Sequence, residues 1–260
     1  ILYLNAALRD DYSYNAMDSR TDKLETFGSF LDRVEAFYRP DLLYIACNSL
    51  SVLFEDPYFD GHRERLCTEG IIETGTREIM AASAGEALPV IVFATPTTVG
   101  EAVYSRRLAN LGIVQVVEQA CPGLPDAISN DLTGEQARLL LEHFVPEALD
   151  KFAGSTDRAL AFLGCTHYGY QSAVFQKILE NRINTVTVID PNGTAAGDVL
   201  ARIRRTSGAE GNVDVRVVSP YTVPPKPMAS LTHYLNEKSP KTIAALRDHD
   251  VNERLYATDA

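Results

Sequence analysis

Two short runs set a thiol beside side chains that can donate and accept protons. Gly164-Cys165-Thr166-His167 follows the apolar stretch Ala159 to Leu163, and Cys47-Asn48-Ser49 follows Leu42 to Ala46. A thiolate is both a base and a nucleophile, and a neighbouring imidazole or hydroxyl can tune its proton or relay it. Cysteine is also among the most buried residue types, so either run taken alone reads equally as core packing. Together they form an internal echo, repeated 118 residues apart: apolar run, small residue, cysteine, two hydrogen-bonding side chains. Cys67 and Cys121 lack that context and read as structural. A zinc site fits poorly, because two cysteines and a histidine from remote segments have no ligand-pair spacing. Neither a P-loop nor a G-x-S-x-G elbow is present.

The elements that must hold these groups are legible as alternating strands and helices. Ile1 to Asn5, Leu42 to Ala46, Gly70 to Ile72, Pro89 to Ala94, Ile113 to Val117, Ala159 to Gly164, Thr185 to Ile189 and Val213 to Val218 read as strands. Several are near-continuous apolar runs, the mark of strands buried on both faces of a parallel sheet. Between them, Leu24, Phe27, Phe30, Leu31, Val34 and Phe37 recur at helical spacing, and further helices are expected over 76–84, 96–110, 133–152, 171–182 and 194–205. Thr95-Pro96-Thr97-Thr98 carries the hydroxyls and proline of a helix start, and Ser207-Gly208 those of a stop. Pro220 to Pro227 reads as a linker, and the tail from Arg247 as polar and loosely attached.

That alternation means α/β with largely parallel sheets, whose ligands bind beyond the carboxyl ends of the strands. Cys47-Asn48-Ser49, Glu73-Thr74-Gly75, Thr95 to Thr98 and Cys165-Thr166-His167 are therefore expected on crevice rims. The chain has 260 residues, enough for one large or two medium units. A net charge of −11 excludes the basic footprint of a nucleic-acid binder and any attraction to anionic membrane surfaces. It leaves room for an anionic substrate held by backbone N–H groups. Four widely spaced cysteines make no disulfide framework, and no apolar run reaches the ~18 residues of a membrane span. A cytoplasmic protein with free thiols is the default.

If each cysteine ends a sheet in its own half of the chain, two thiols face each other across a cleft. Inverting a stereocentre needs one group to remove a proton from one face and another to deliver one to the opposite face. Two thiols at strand-to-helix turns meet that need, with the helix dipole expected to favour thiolate at each. The turn amides can hold a carboxylate and spread the charge developing beside it, and His167 is placed to tune Cys165 or shuttle its proton.

The sequence resembles the cofactor-independent aspartate/glutamate racemase superfamily, and within it the glutamate racemases. Ala46-Cys47-Asn48-Ser49 is similar to that family's Ala-Cys-Asn-Thr motif, and Leu163-Gly164-Cys165-Thr166-His167-Tyr168 matches its second-cysteine motif. Thr95-Pro96-Thr97-Thr98-Val99, Ala120-Cys121-Pro122 and Glu73-x-Gly75 resemble its Thr-Pro-Ala-Thr-Val, Ala-Cys-Pro and Glu-Pro-Gly. The family begins with a strand and an Asp-Ser-Gly motif; this chain opens at Ile1, inside an apparent strand, after that point. Ser13-Tyr14-Asn15 stands where the family has Pro-Tyr-Gly, and Tyr168-Gly169-Tyr170 where it has Tyr-Pro-Leu.

The resemblance implies two pseudo-symmetric α/β subdomains with the active site in the cleft between them, and neither pyridoxal phosphate nor a metal. On it, 1–91 plus 192–260 form the subdomain carrying Cys47, and 92–191 the one carrying Cys165. Cys47 and Cys165 become the two acid/bases and His167 an auxiliary to Cys165. Asn48, Ser49, Thr95, Thr98, Thr166, Tyr14 and Asn15 become the substrate-binding set. The implied activity is interconversion of L- and D-glutamate for cell-wall peptidoglycan, by a cytoplasmic enzyme that forms a homodimer. The same fold could instead serve aspartate, a hydantoin or another small acid, or an inactive binding homologue.

Overall fold

The computed structural model describes residues 1–10, 12–152, 157–202 and 213–256. Strands β1 (Leu2–Leu4), β2 (Leu43–Ile45), β3 (Thr68–Gly70), β4 (Val90–Ala94), β5 (Val116–Ala120), β6 (Arg158–Gly164), β7 (Thr185–Ile189), β8 (Arg216–Ser219) and β9 (Asp250–Val251) alternate with helices. Among the described residues they form three sheets, ordered β1-β8-β9, β2-β3 and β5-β4-β6-β7. The pairings of the first and third are parallel throughout. This is the α/β class that the alternation implies. Among the described residues no helix is long and apolar enough to cross a membrane.

Contacts divide the chain into two compact units. One comprises Ile1–Leu43, Asp56–Thr68 and Ala201–Ala260; the other comprises Tyr44–Glu55 and Glu69–Leu200. The boundary differs from the sequence-based one in a place that matters: the segment holding Cys47 is grouped with the segment holding Cys165.

In the first unit, the helix Arg20–Tyr38 buries Leu24, Phe27, Phe30, Leu31 and Val34, and Ser19 caps it by accepting from the Asp22 amide. Phe27 meets the edge of Tyr14 and tilts against Phe59, while Phe30 stacks on Tyr256 with ring centres 5.4 Å apart. That aromatic cluster corrects the expectation of a loose tail. Asp250–Val251 extends the sheet as β9, Leu255 is fully buried, and the Tyr256 hydroxyl donates to the Ala6 carbonyl. The β9 pairing, Asn252, Leu255 and Tyr256 anchor the stretch as far as residue 256. The expected linker is also shorter, because the helix Pro225–Leu235 starts inside it with prolines in its first turn, where a missing N–H costs nothing. The stop at Ser207-Gly208 lies outside the described residues.

The second unit is built on its four-stranded sheet. Every residue of β4 is buried, as its continuous apolar run implies. On one face Val90, Val92 and Ala94 join Ile72, Ile79, Tyr104, Leu160 and Phe162 in a single cluster. The alternate residue Phe93 packs on Phe175, with ring centres 5.2 Å apart. Two strand boundaries differ from the sequence reading. Ile71 and Ile72 open the helix Ile71–Ser83 rather than closing a strand, because Ile71, Gly75 and Ile79 recur at one helical face and are buried. Glu73-Thr74-Gly75 is therefore a helical turn, not a strand-end rim. β5 begins three residues later than expected, so Cys121 follows directly on a strand. The helix expected over 96–110 is two, Pro96–Glu101 and Val103–Asn110, parted by Ala102 in the left-handed region at φ 49°.

Gly75 shows how closely the helix Ile71–Ser83 lies on the sheet. A β-carbon there would stand 2.5 Å from Phe162 Cζ and 3.0 Å from the Tyr104 hydroxyl, both on fully buried side chains. Alanine would gain ~1 kcal/mol of helix propensity and lose about 1–3 kcal/mol to overpacking. The overpacking term wins: Gly75→Ala lowers the unfolding free energy measured in urea, and a variant as stable as the wild type would contradict the packing described.

Candidate active site

The carboxyl ends of the four strands define the site. Residues Ala94 and Gly164 are register partners, as are Ala94 and Ala120. Thr95, Cys121 and Cys165 are thus the first residues beyond three neighbouring strand ends, each row about 4.8 Å from the next. In the order β5-β4-β6-β7 the chain winds outward from β4 to β5, then crosses back to β6 and β7. The switch point lies between β4 and β6, where ligands of open parallel sheets bind. Thr95 and Cys165 flank it. Gly164 allows this closeness, because a β-carbon there would lie 3.0 Å from Ala94 Cβ and 3.1 Å from the Phe93 carbonyl oxygen.

Cys47 reaches the same place through its neighbours. It is the N-cap of the helix Asn48–Leu53, and its carbonyl accepts from the Ser51 amide at 2.9 Å. Ser49 Oγ shares a hydrogen bond of 2.8 Å with Thr95 Oγ1 and lies 3.4 Å from Thr98 Oγ1; the two threonine hydroxyls are 3.1 Å apart. Thr95 in turn caps the helix Pro96–Glu101, accepting from the Thr98 amide. All three hydroxyls are on buried residues. The cysteine motif of β2 is thereby tied to the end of β4, one strand from Cys165.

The electrostatics of the thiols follow from this enclosure. Cys165 is 7% exposed, and burial pushes its thiol up to about 12 despite lowering by the His167 and Tyr168 amides. The next charges acting on it, Cys47 and Asp126, both oppose a second negative charge. Cys47 is exposed, yet the surrounding protein still raises its pKa, against the amides of Leu50 and Ser49 and the Ser49 hydroxyl. Open to solvent, it feels a penalty that water screens in part. The helix-terminal amides act as expected, but desolvation outweighs them and both groups rest as thiols.

His167 Nδ1 lies 3.7 Å from Cys165 Sγ, a weak sulfur hydrogen bond. Burial lowers the imidazole's pKa, so at neutral pH it is uncharged and offers a proton relay rather than a cation. Thr166 is half-buried, and its carbonyl accepts from Asn192 Nδ2 at 3.1 Å. Asn48 is buried, its Oδ1 accepting from the Tyr104 hydroxyl at 2.6 Å. Of the ten candidate residues, Cys47, Asn48, Ser49, Thr95, Thr98, Cys165, Thr166 and His167 belong to the second unit. Tyr14 and Asn15 belong to the first, where Tyr14 is 5% exposed with its hydroxyl 3.1 Å from that of Tyr256.

Two further residues stand beside the site, Tyr104 with no signal in the sequence and Cys121 with only the Ala-Cys-Pro resemblance. Tyr104 sits in the first turn of the helix Val103–Asn110, at a spacing indistinguishable from core. Cys121, fully buried beyond β5, was hidden by the misplaced strand boundary; its amide donates to the Ala94 carbonyl and its carbonyl accepts from the Tyr168 hydroxyl at 3.4 Å.

No protein-family model matches the chain. Among curated relatives, the glutamate racemase of Aquifex pyrophilus is 31% identical over 198 residues, covering 73% of this chain and 68% of that one. The glutamate racemase of Roseobacter denitrificans is 35% identical over 114 residues, 44% of this chain and 41% of its own length. Among solved structures, the glutamate racemase of Francisella tularensis, crystallised with D-glutamate, superposes with a TM-score of 0.70 at 20% identity, covering 91% of this chain and 83% of that one. The Campylobacter jejuni enzyme gives 0.68 at 19%, covering 91% and 88%. At those identities the solved structures speak for the fold, and the sequence match to the Aquifex enzyme speaks for descent. The chain belongs to the glutamate racemase family.

Proposed function

We propose that this chain interconverts L- and D-glutamate, with Cys47 and Cys165 as the two proton-transfer groups. The observation that carries it is the tether from Cys47 through Ser49 and Thr95 to the strand end beside Cys165. One cysteine, as thiolate, takes the α-proton and breaks the Cα–H bond. The electron pair passes into the carboxylate, and the thiol of the other cysteine delivers its proton to the opposite face. One thiolate and one thiol have then exchanged places, and the reverse reaction starts from the other side.

Asn48 and the hydroxyls of Ser49, Thr95 and Thr98 are suited to hold the substrate's carboxylate and ammonium groups, with Thr166 beside Cys165. A cationic ammonium near the thiols would supply the positive charge that Cys47 and Asp126 deny to Cys165, favouring thiolate when substrate is bound. His167 relays protons to Cys165. D-Glutamate made this way would serve peptidoglycan synthesis.

Positioned acid/base groups contribute roughly 10²–10⁴-fold each. Cys47→Ser and Cys165→Ser are each expected to lose racemisation by about that factor, followed by circular dichroism of either enantiomer, while α-proton exchange in D₂O persists on one enantiomer. Two single variants that racemise at the wild-type rate would sink the two-thiol mechanism. The pH dependence has a definite sign. A thiol with a raised pKa is protonated at neutral pH, and the base is its deprotonated form. kcat/KM therefore climbs as pH is raised from roughly 7 to 9, where thiolate becomes more abundant; His167, already neutral, adds no loss across that range. A profile falling with pH would contradict the assignment.

A further inference from the structure

Asn48 carries a polar group that the fold itself leaves unanswered. Its Nδ2 is buried and has no hydrogen-bond partner among the described residues. An unmet buried amide is costly, and native structures rarely keep one without a use. Asparagine is also ambiguous by nature, since its carbonyl and amino ends are nearly isosteric and either can face a given neighbour. In the structure Tyr104 takes one of the two ends. Its hydroxyl donates to Asn48 Oδ1 at 2.6 Å in a fully enclosed setting. The ring is fixed by Phe162, 4.9 Å away centre to centre, and by the close approach of Gly75 beneath the hydroxyl. Burial keeps the phenol protonated, so it remains a donor.

We infer that Tyr104 is a positioning residue: by occupying Asn48 Oδ1 it fixes the carboxamide with Nδ2 as the open donor, aimed at a carboxylate oxygen of the substrate. The inference rests on the racemase reading, and it adds what that reading lacks, a reason why Asn48 presents its donating end. A carboxylate is an acceptor on every lone pair and would be repelled by the carbonyl end of a flipped amide. Asn48 lies between Cys47 and Ser49, beside one thiol and the hydroxyl cluster. A donor at that place binds the carboxylate of both enantiomers, which share it in the ground state. The contribution is therefore mainly to binding, and appears in KM.

The test is a double-mutant cycle on glutamate racemisation with Tyr104→Phe, Asn48→Ala and the pair. Phenylalanine keeps the ring against Phe162, and thermal unfolding of each variant checks that it is folded. Tyr104→Phe is expected to raise KM about ten-fold with a smaller fall in kcat, and to cost nothing further once Asn48 is alanine. The same loss in both backgrounds, or a folded Tyr104→Phe with wild-type KM, would overturn the inference while leaving the racemase reading intact. Should Tyr104→Phe fail to fold, Asn48→Asp keeps an acceptor for the phenol but loses the Nδ2 donors; it must raise KM likewise, and an unchanged KM overturns the inference. A wild-type chain that leaves both enantiomers of glutamate unchanged would overturn the reading and the inference with it.

Discussion

The hydrogen bond between Ser49 and Thr95 is the constraint on which the site depends. β4 and β6 are neighbours by backbone pairing, so the residues beyond their ends, Thr95 and Cys165, are fixed relative to each other by the ladder. Cys47 belongs to another sheet and has no such ladder to these strands. Its place is set by the short helix it caps, and that helix is held to the end of β4 by hydroxyls of 2.8 and 3.4 Å separation. The three hydroxyls are buried and each can donate and accept, so they satisfy one another where a single unpaired hydroxyl would be costly. Packing brings the second unit's core together; this polar cluster sets the register of the two cysteine motifs within it.

Desolvation gives the thiols their character, more completely at buried Cys165 than at exposed Cys47. Amides at both turns act in the direction that chemistry requires, but desolvation acts in the other and prevails, and at Cys165 the Cys47 and Asp126 charges add to it. The resting site therefore stores its protons rather than its charge. Such a site avoids a reactive thiolate in the absence of substrate, and it fits a reaction in which each thiol must serve as acid in one direction and base in the other.

Much of this was legible in the residues, for a physical reason. A strand buried on both faces writes itself as an unbroken apolar run, so β4 and β6 stood out, and with them the polar groups just beyond. The echo of the two motifs suggested reading Cys47 together with Cys165, and the Ser49–Thr95 hydrogen bond ties the first motif to the strand beside the second. Ile71-Ile72 was misread because a short apolar run fits a buried strand and the first turn of a helix equally well. β5 lies at the sheet edge with half-buried valines and a glutamate, so its ends carry weak signals. Tyr104 could not be found at all: hydrogen bonding across 56 positions leaves no local pattern, and a tyrosine on a buried helix face looks like core.

Gly169 carries a consequence for how this sequence can change. The family has proline where this chain has Gly169, and here a β-carbon at that position would collide with Asp190 Oδ2 and lie 2.8 Å from Asn192 Nδ2. The same Asn192 donates to the Thr166 carbonyl, and its amide is held by Asp190. The glycine and the β7 turn are thus a matched pair. A side chain at 169 would push the Asp190 and Asn192 side chains aside, and with them the hydrogen bond that Asn192 gives to the Thr166 carbonyl. What residue 169 can be is decided by the side chains at 190 and 192, not by its own loop alone.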